Sequence, residues 1–247
     1  MTTTKPAQSL QPRSLGSGSL LLKRSRSANA FEDTVERILQ TIRLGLLHPG
    51  DCLPGERELS SMLGVSRDTV REATSALSAA GYLTTRRGRY GGTFIADSLP
   101  TEYGKLSSFN NTEIIDILVF REVVECGAAY SAANAELSRD DRGALQSAHE
   151  QTSASDPQDY RRLDSRLHLL IAELTGSEKL IAEVAYSRMR VNELLDDIPL
   201  LPPNIAHSNE QHEKIINAIL KGNPSAAQSA MRDHLAGSAA LLRGFLG

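Results

Sequence analysis

Residues 53–83 read LPGERELSSMLGVSRDTVREATSALSAAGYL, and their spacing decides the fold. Leu59, Met62 and Leu63 put an apolar side on a short helix over residues 56–63. Gly64 ends it, because glycine adopts the left-handed conformation without a steric penalty. Ser66 is placed to cap a second helix, with Asp68 in the first turn, where the helix dipole favours an acid. Val70, Ala73, Leu77 and Ala80 recur at helical spacing as its buried stripe, while Arg67, Thr69, Arg71 and Ser75 face elsewhere. Two short helices with a tight turn, the second crowded with donors at its start, predict a helix-turn-helix that enters a major groove N-terminus first.

Working outward, Leu83-Thr84-Thr85 and Thr93-Phe94-Ile95 are short β-prone runs. They flank the cationic, glycine-rich stretch Arg86-Arg87-Gly88-Arg89-Tyr90-Gly91-Gly92. Such a hairpin is the wing of a winged helix-turn-helix, placed to touch phosphates or the minor groove. The competing reading is a surface helix pair with a solvated charged loop; it needs helix, turn, helix and basic wing to coincide by chance. The candidate DNA contacts are Arg57, Ser66, Arg67, Asp68, Thr69, Arg71, Arg87 and Gly88.

The stretch from Ile42 to Ile95 resembles the DNA-binding domain of the GntR family of bacterial transcription regulators. The resemblance rests on Pro49-Gly50-Asp51, Leu53-Pro54, Glu56-Arg57-Glu58-Leu59, Val65-Ser66-Arg67, Val70-Arg71-Glu72-Ala73, Leu77, Gly81-Tyr82-Leu83 and Gly92-Thr93-Phe94-Ile95. Two positions depart from it: Asp68 stands where the family usually has threonine or proline, and Gly55 replaces a serine or alanine cap. Asp68 would accept from a cytosine amino group or repel a phosphate, which shifts operator preference.

On the N-terminal side, Val35, Ile38, Leu39, Ile42 and Leu46 form one apolar face of a helix over residues 33–47, weakened by Gly45 and stopped by Pro49-Gly50. It is expected to pack beneath the helix-turn-helix. Residues 1–30 are rich in Ser, Thr, Gly, Pro and Gln, and carry five bases and no acid. They read either as a disordered leader or as a basic arm that adds phosphate or minor-groove contacts.

The chain of 247 residues has a net charge of −3, which hides an asymmetry: +5 over residues 1–30, zero over 31–95 and −8 over 96–247. Recognition of nucleic acid therefore rests on placed arginines and not on bulk charge, and the acidic half suits a cation. Two distant cysteines, Cys52 and Cys126, argue against a disulfide framework and fit a reducing cytoplasm. No apolar run approaches the roughly 18 residues that span a bilayer, so no membrane partner is expected.

Beyond Ile95 the division predicted is a winged helix-turn-helix domain over 31–97, a polar linker over 98–110 and an all-helical domain over 111–247, each domain large enough for its own core. Helices are expected at about 111–135, 138–152, 156–175, 177–196, 204–221 and 224–245, broken at Ser138, Pro157, Gly176, the Pro199-Pro202-Pro203 cluster and Gly222-Asn223-Pro224. The fold class is mainly α: a winged helix-turn-helix with a small β-hairpin, followed by an antiparallel helical bundle.

Of six histidines, His168 follows Asp164 at i+4, so the two share one helix face at the border of an apolar side. His212 and His234 lie on two further helices beside apolar residues. Three histidines and an aspartate on three helices suit a divalent ion such as Zn, Ni, Mn or Fe, with hydrogen-bonded core histidines and a plain helix contact as the alternative. His149 and His207 read as surface or loop histidines.

Residues from about Thr112 to Leu242 resemble the all-helical FCD effector domain of one GntR branch. The landmarks are Phe120-Arg121-Glu122 with Glu125, Asp164 with His168, Leu174-Thr175-Gly176-Ser177, His212 with Ile216, Ala218-Ile219, Gly222, Ala226 and His234-Leu235. The resemblance implies that Asp164, His168, His212 and His234 ligate a divalent metal, with positions left for a small carboxylate effector. Arg121 is then placed either to pair with that acid or to form a salt bridge to Glu125, and Arg188 and Arg190 are further candidates. Together these expectations describe a cytoplasmic, homodimeric repressor that occupies a near-palindromic DNA operator and responds to a small organic acid. The alternatives are a regulator whose signal is the metal itself and, from another class, a metalloenzyme; no residue near the ligands is an obvious general base.

Overall fold

The computed structural model describes residues 29–43, 46–88, 91–100 and 109–246. Nearly all of the leader, the wing-tip residues Arg89 and Tyr90, and most of the linker lie outside them.

The first helix, α1, spans Ala30–Arg43. It begins inside the stretch assigned to the leader and ends before residue 47. The reason is Phe31, which is fully buried and adds a turn to the apolar face of Val35, Ile38, Leu39 and Ile42. The Asn29 carbonyl accepts its first hydrogen bond, from Asp33 N (2.9 Å), and the amides of Leu46 and Leu47 both fold back on Thr41 O (3.1 and 3.3 Å). Helix α2 (Glu56–Leu63) stops at Gly64, whose φ of 72° is left-handed, and α3 (Arg67–Ala79) starts at Ser66, whose hydroxyl accepts from Thr69 N. Val70, Ala73, Ala76 and Leu77 are buried, so α3 presses its small-residue side onto α1 and turns Arg67, Asp68 and Arg71 outward.

Strands β1 (Leu83–Arg86) and β2 (Gly92–Ile95) pair antiparallel, Leu83 opposite Ile95 and Arg86 opposite Gly92. The outer edge of β2 is also used. Gly50 N donates to Ile95 O, Ile95 N to Asp51 O and Leu53 N to Thr93 O (3.0, 2.9 and 2.8 Å). The Pro49-Gly50-Asp51 turn thus braces the wing.

Six helices follow: α4 (Asn111–Asn134), α5 (Arg139–Ser153), α6 (Pro157–Glu173), α7 (Glu178–Asp196), α8 (Pro202–Leu220) and α9 (Pro224–Leu246). Each lies within a few residues of its expected span. Helix α8 starts two residues early because Pro202 sits in the first turn, where proline gives up no hydrogen bond. No described helix is long and apolar enough to cross a membrane.

Each half is large enough for a core of its own, and the apolar interior nevertheless runs across both. One apolar cluster runs from Phe31, Val35, Leu59 and Leu77 straight into Ile114, Val191, Leu194, Leu241 and Phe245. Helix α1 lies on α9, and the approach is close because α9 presents glycine there. A Cβ at Gly237 would stand 2.9 Å from Asn29 Oδ1, and one at Gly244 would stand 2.9 Å from Glu36 Cα. A second cluster, with Leu145, Leu167, Ile171, Ile215 and Met231, fills the far part of the bundle.

Candidate metal centre and nucleic-acid face

Helix periodicity brings Asp164 and His168 of α6 to the bundle axis, opposite His212 of α8 and His234 of α9. All four are buried, and one ligand atom from each lies within 4.8 Å of all the others. Asp164 Oδ1 is 3.2 Å from His212 Nε2 and 3.8 Å from His168 Nε2. The three rings sit with centroids 4.4 to 5.3 Å apart.

The surrounding hydrogen bonds set the ring protons. Glu125 Oε2 accepts from His168 Nδ1. Gln211 Oε1 accepts from His234 Nδ1 (3.3 Å). Both rings are then left with a lone pair on Nε2, and His234 Nε2 has no hydrogen-bond partner among the described residues. Burial holds His168 below the ordinary histidine pKa against the pull of Glu125, and burial with the neighbouring His212 and His168 holds His234 well below it. Both stay neutral, the ligating form. Burial alone would raise the Asp164 carboxyl, but Arg188, followed by the histidines, keeps it ionised and well below its usual range. Two neutral imidazoles with lone pairs on Nε2 (that of His168 directed at His212 Nε2, 3.3 Å away), a third imidazole and a carboxylate, all buried, fit a divalent cation.

The arginines separate. Arg188, 2% exposed, donates through Nη2 to Asp164 Oδ2 and to Ser165 Oγ (3.1 Å), while its Nε and Nη1 have no hydrogen-bond partner among the described residues. Asn192, one turn on, donates to the same Ser165 Oγ (2.9 Å). Arg121 is buried but engaged: Nε donates to Glu125 Oε1 (2.9 Å) and Nη1 to Ser238 Oγ (2.7 Å), so it takes the salt-bridge alternative and braces the carboxylate behind His168. Arg190 is not at the cluster. It pairs with Glu193, lies over the Phe109 ring and lines an outer groove with Asp116, Phe120 and Tyr186.

Sequence spacing did not assign Glu125 to His168, nor bring Gln211 and Asn29 to the centre. Glu125 carries a local signal, its i+4 spacing from Arg121. Gln211 and Asn29 are 182 positions apart, and no local pattern links them. His149 is half-buried on α5 beside Ser153, outside the cluster. Of the surface or loop placement expected for His207, the loop does not hold: it lies on α8, its side chain 33% exposed, edge-on to Phe31 and 3.4 Å from the buried Glu32.

At the other end, Arg57, Ser66, Arg67, Asp68 and Arg71 are exposed and Thr69 half-buried, all at the start of α2 and α3. Arg71 bridges Glu56 (2.9 Å) and Asp68 (3.1 Å), so Asp68 meets a neighbouring cation in this state. At the wing, Arg87 and Gly88 are exposed, Gly88 with a φ of 110°, and Arg86 stacks over Phe94 at 4.6 Å.

Residues 31–95 match the family described as bacterial regulatory proteins, gntR family, and residues 116–237 match the FCD domain. A putative L-lactate dehydrogenase operon regulatory protein of Escherichia coli is 31% identical over 83% of this chain and 83% of its own. The putative HTH-type transcriptional regulator RmpR of Mycobacterium gastri is 32% identical over 81% of this chain and 76% of its own. The LutR regulator of Bacillus subtilis is 27% identical over 83% and 97%. Among solved structures, E. coli McbR/YncC shares the fold at 17% identity, with a TM-score of 0.50 over 92% of this chain and 97% of that one.

Proposed function

The chain belongs to the gntR family of bacterial regulatory proteins and carries an FCD domain, and from that premise we propose that it is a metal-containing, homodimeric repressor released from its operator by a small organic acid. That it is a DNA-binding transcription regulator and not an enzyme follows from the family and its relatives. The rest is our reading.

The observation that carries it is the buried Asp164, His168, His212 and His234 cluster with the unsatisfied guanidinium edge of Arg188 beside it. A bound divalent ion would supply positive charge and coordination positions for a carboxylate. Arg188 is buried, its Nε and Nη1 have no hydrogen-bond partner among the described residues, and Nη1 has only a 4.0 Å ion contact with Glu125 Oε1. It is the residue suited to pair with that carboxylate, since a buried donor without a hydrogen bond is costly and an anion satisfies it. A relative named for an L-lactate dehydrogenase operon is in keeping with a small acid as signal. The acid acts by binding one arrangement of the recognition helices better than another, and only that differential affinity shifts the equilibrium.

Dimerisation is read from α4 and α7. Ile115, Val119 and Val123 repeat at i, i+4 and i+8 on α4 and are 57%, 57% and 68% exposed, next to exposed Tyr186 and Met189 of α7. An apolar stripe of this kind on a chain that must present two recognition helices to a two-fold operator suits a second copy. Full-length Val119→Asp should sediment as a monomer where the wild type sediments as a dimer. A dimer of unchanged strength would move the interface elsewhere.

The test of the whole reading is protein purified without added metal, assayed for bound ions and then melted with candidate carboxylates before and after chelation. Acid-dependent stabilisation that disappears with the ion supports it. Ion without any response to acids leaves the metal itself as the signal, and absence of any ion sinks the centre.

A further inference from the structure

The described chain opens at Asn29, and this residue touches a part of the bundle that the sequence places nearly at the other end. Asn29 is 5% exposed, Gln211 8% and His234 3%, so the three side chains meet in the interior. Their hydrogen bonds have only one consistent direction. The backbone carbonyl of Asp233 can only accept, so Asn29 presents Nδ2 to it (2.7 Å). Asn29 Oδ1 is then turned toward Gln211 and accepts from Nε2 (2.6 Å). That leaves Gln211 Oε1 facing His234, where it accepts from Nδ1 (3.3 Å) and fixes the ring with its Nε2 lone pair toward the other ligands. The seat is shaped for this residue, since a side chain at Gly237 would push on Asn29 Oδ1.

We infer that Asn29 and Gln211 form a hydrogen-bonded strut between the metal centre and the head of α1, so that ion binding firms the helix on which the recognition helix α3 rests. The inference rests on the metal reading above. A ligating histidine holds its orientation through the hydrogen bond on its other nitrogen, and loss of such a partner costs about 10–100-fold in metal affinity. Coupling is reciprocal. If Asn29 steadies His234, an ion that fixes His234 also fixes Gln211 and Asn29, and with them the first turn of α1. Helix α1 packs on both α3 and α9, so a change at its head reaches the DNA-reading surface through packed side chains.

The test is hydrogen–deuterium exchange on full-length protein stripped with EDTA and dialysed, with and without Zn²⁺, on wild type, Asn29→Ser and Gln211→Leu. Serine at position 29 is a residue that suits a helix start but is too short to reach Gln211, and Gln211→Leu breaks the strut without altering the sequence of α1. In the wild type, zinc should slow exchange across residues 30–43 as well as in α8 and α9. In both variants at saturating zinc, the slowing over 30–43 should vanish while that in α8 and α9 remains, and Gln211→Leu should bind zinc about 10–100-fold more weakly by calorimetry. Should Asn29→Ser loosen α1 even without zinc, Gln211→Leu decides. Unchanged zinc protection of 30–43 in Gln211→Leu, or zinc bound by the wild type with no effect on that segment, overturns the strut. A wild type that takes up no zinc and no Mn²⁺ fails earlier, at the metal reading, and is recognised as such by the calorimetry.

Discussion

The arginines of the recognition helix and those of the bundle share a chemistry and differ in who supplies the opposite charge. Arg67 and Arg71 have side chains 60% and 56% exposed; Arg71 is hydrogen-bonded to Glu56 and Asp68 at the surface, and Arg67 is 3.9 Å from Glu56. Arg121 and Arg188 are 3% and 2% exposed, and Glu125 and Asp164 are buried with them. An exposed pair gains little and trades its carboxylate for a phosphate or a guanine at small cost. A buried pair cannot, because the partner left behind is a charge without water. The outer arginines are therefore free to bind something that arrives, and the inner ones first hold the site in shape.

The largest expected effect breaks that contrast or keeps it. Arg188→Ala strands the Asp164 carboxylate in the interior and should cost about 3–5 kcal/mol of folding stability. Arg67→Ala, on the surface, should stay within about 0.5 kcal/mol of wild type. Urea unfolding of both proteins, stripped of metal, measures the two. Similar losses would mean that burial is not what distinguishes them.

Next comes the ion itself. Metal should raise the Tm of the wild type by mass action, reversibly with a chelator, because the ligands tie together α6, α8 and α9. His212→Ala should lower metal affinity at least about tenfold and remove most of that shift. His149→Ala, outside the cluster, should do neither. Full stoichiometric metal in His212→Ala would place the ion elsewhere.

These two regions were also unequally legible. The helix-turn-helix is written locally: the cap at Ser66, the left-handed Gly64 and the stripe of Val70, Ala73 and Leu77 all lie within one stretch, and α2 spans the expected 56–63. The i,i+4 geometry gave Asp164 with His168 in the same way. What stayed hidden depends on how helices far apart in the chain pack. Helix α1 is expected beneath the helix-turn-helix, and its apolar face does not show that Gly237 and Gly244 let it lie on α9 as well; the shared core follows from that. Arg188 looked a weaker candidate than Arg121 because the sequence cannot say which turn of α7 faces α6. His207 read as a surface or loop histidine because no local spacing shows that its turn of α8 faces Phe31 and Glu32 of α1.

On DNA, the outer arginines should show the complementary behaviour. Arg67→Ala should weaken operator binding by about 1–3 kcal/mol if it reads a guanine. Arg57→Ala should weaken operator and scrambled duplex alike if it holds a phosphate. Titrations at matched salt separate the two, and unchanged operator affinity in both would remove them from the interface.

The smallest effect concerns His207, which lies between the two regions. Its Nδ1 is 3.4 Å from Glu32 Oε1, which also accepts from Asn204 Nδ2 (3.1 Å). The hydrogen bond to Glu32 raises the His207 pKa, burial opposes, and Glu72 of α3 and Glu210 of α8 add to the rise. The folded state therefore favours the protonated ring more than the unfolded chain does, where histidine titrates near about 6.5. The contribution is full below that value and fades as pH rises through the folded pKa. His168 and His234, held low by burial, have the opposite sign and cost stability as pH falls below about 6.5. The two trends overlap in wild type, so the measurement is a difference: the Tm of wild type minus that of His207→Gln, in metal-free protein, from pH 5.5 to about 8.5. With the His207 side chain 33% exposed, the gap should correspond to less than about 1 kcal/mol and should shrink toward alkaline pH. A gap that widens with pH would show that His207 holds α1 as a neutral ring packed on Phe31, and that Glu32 takes its charge partner from elsewhere.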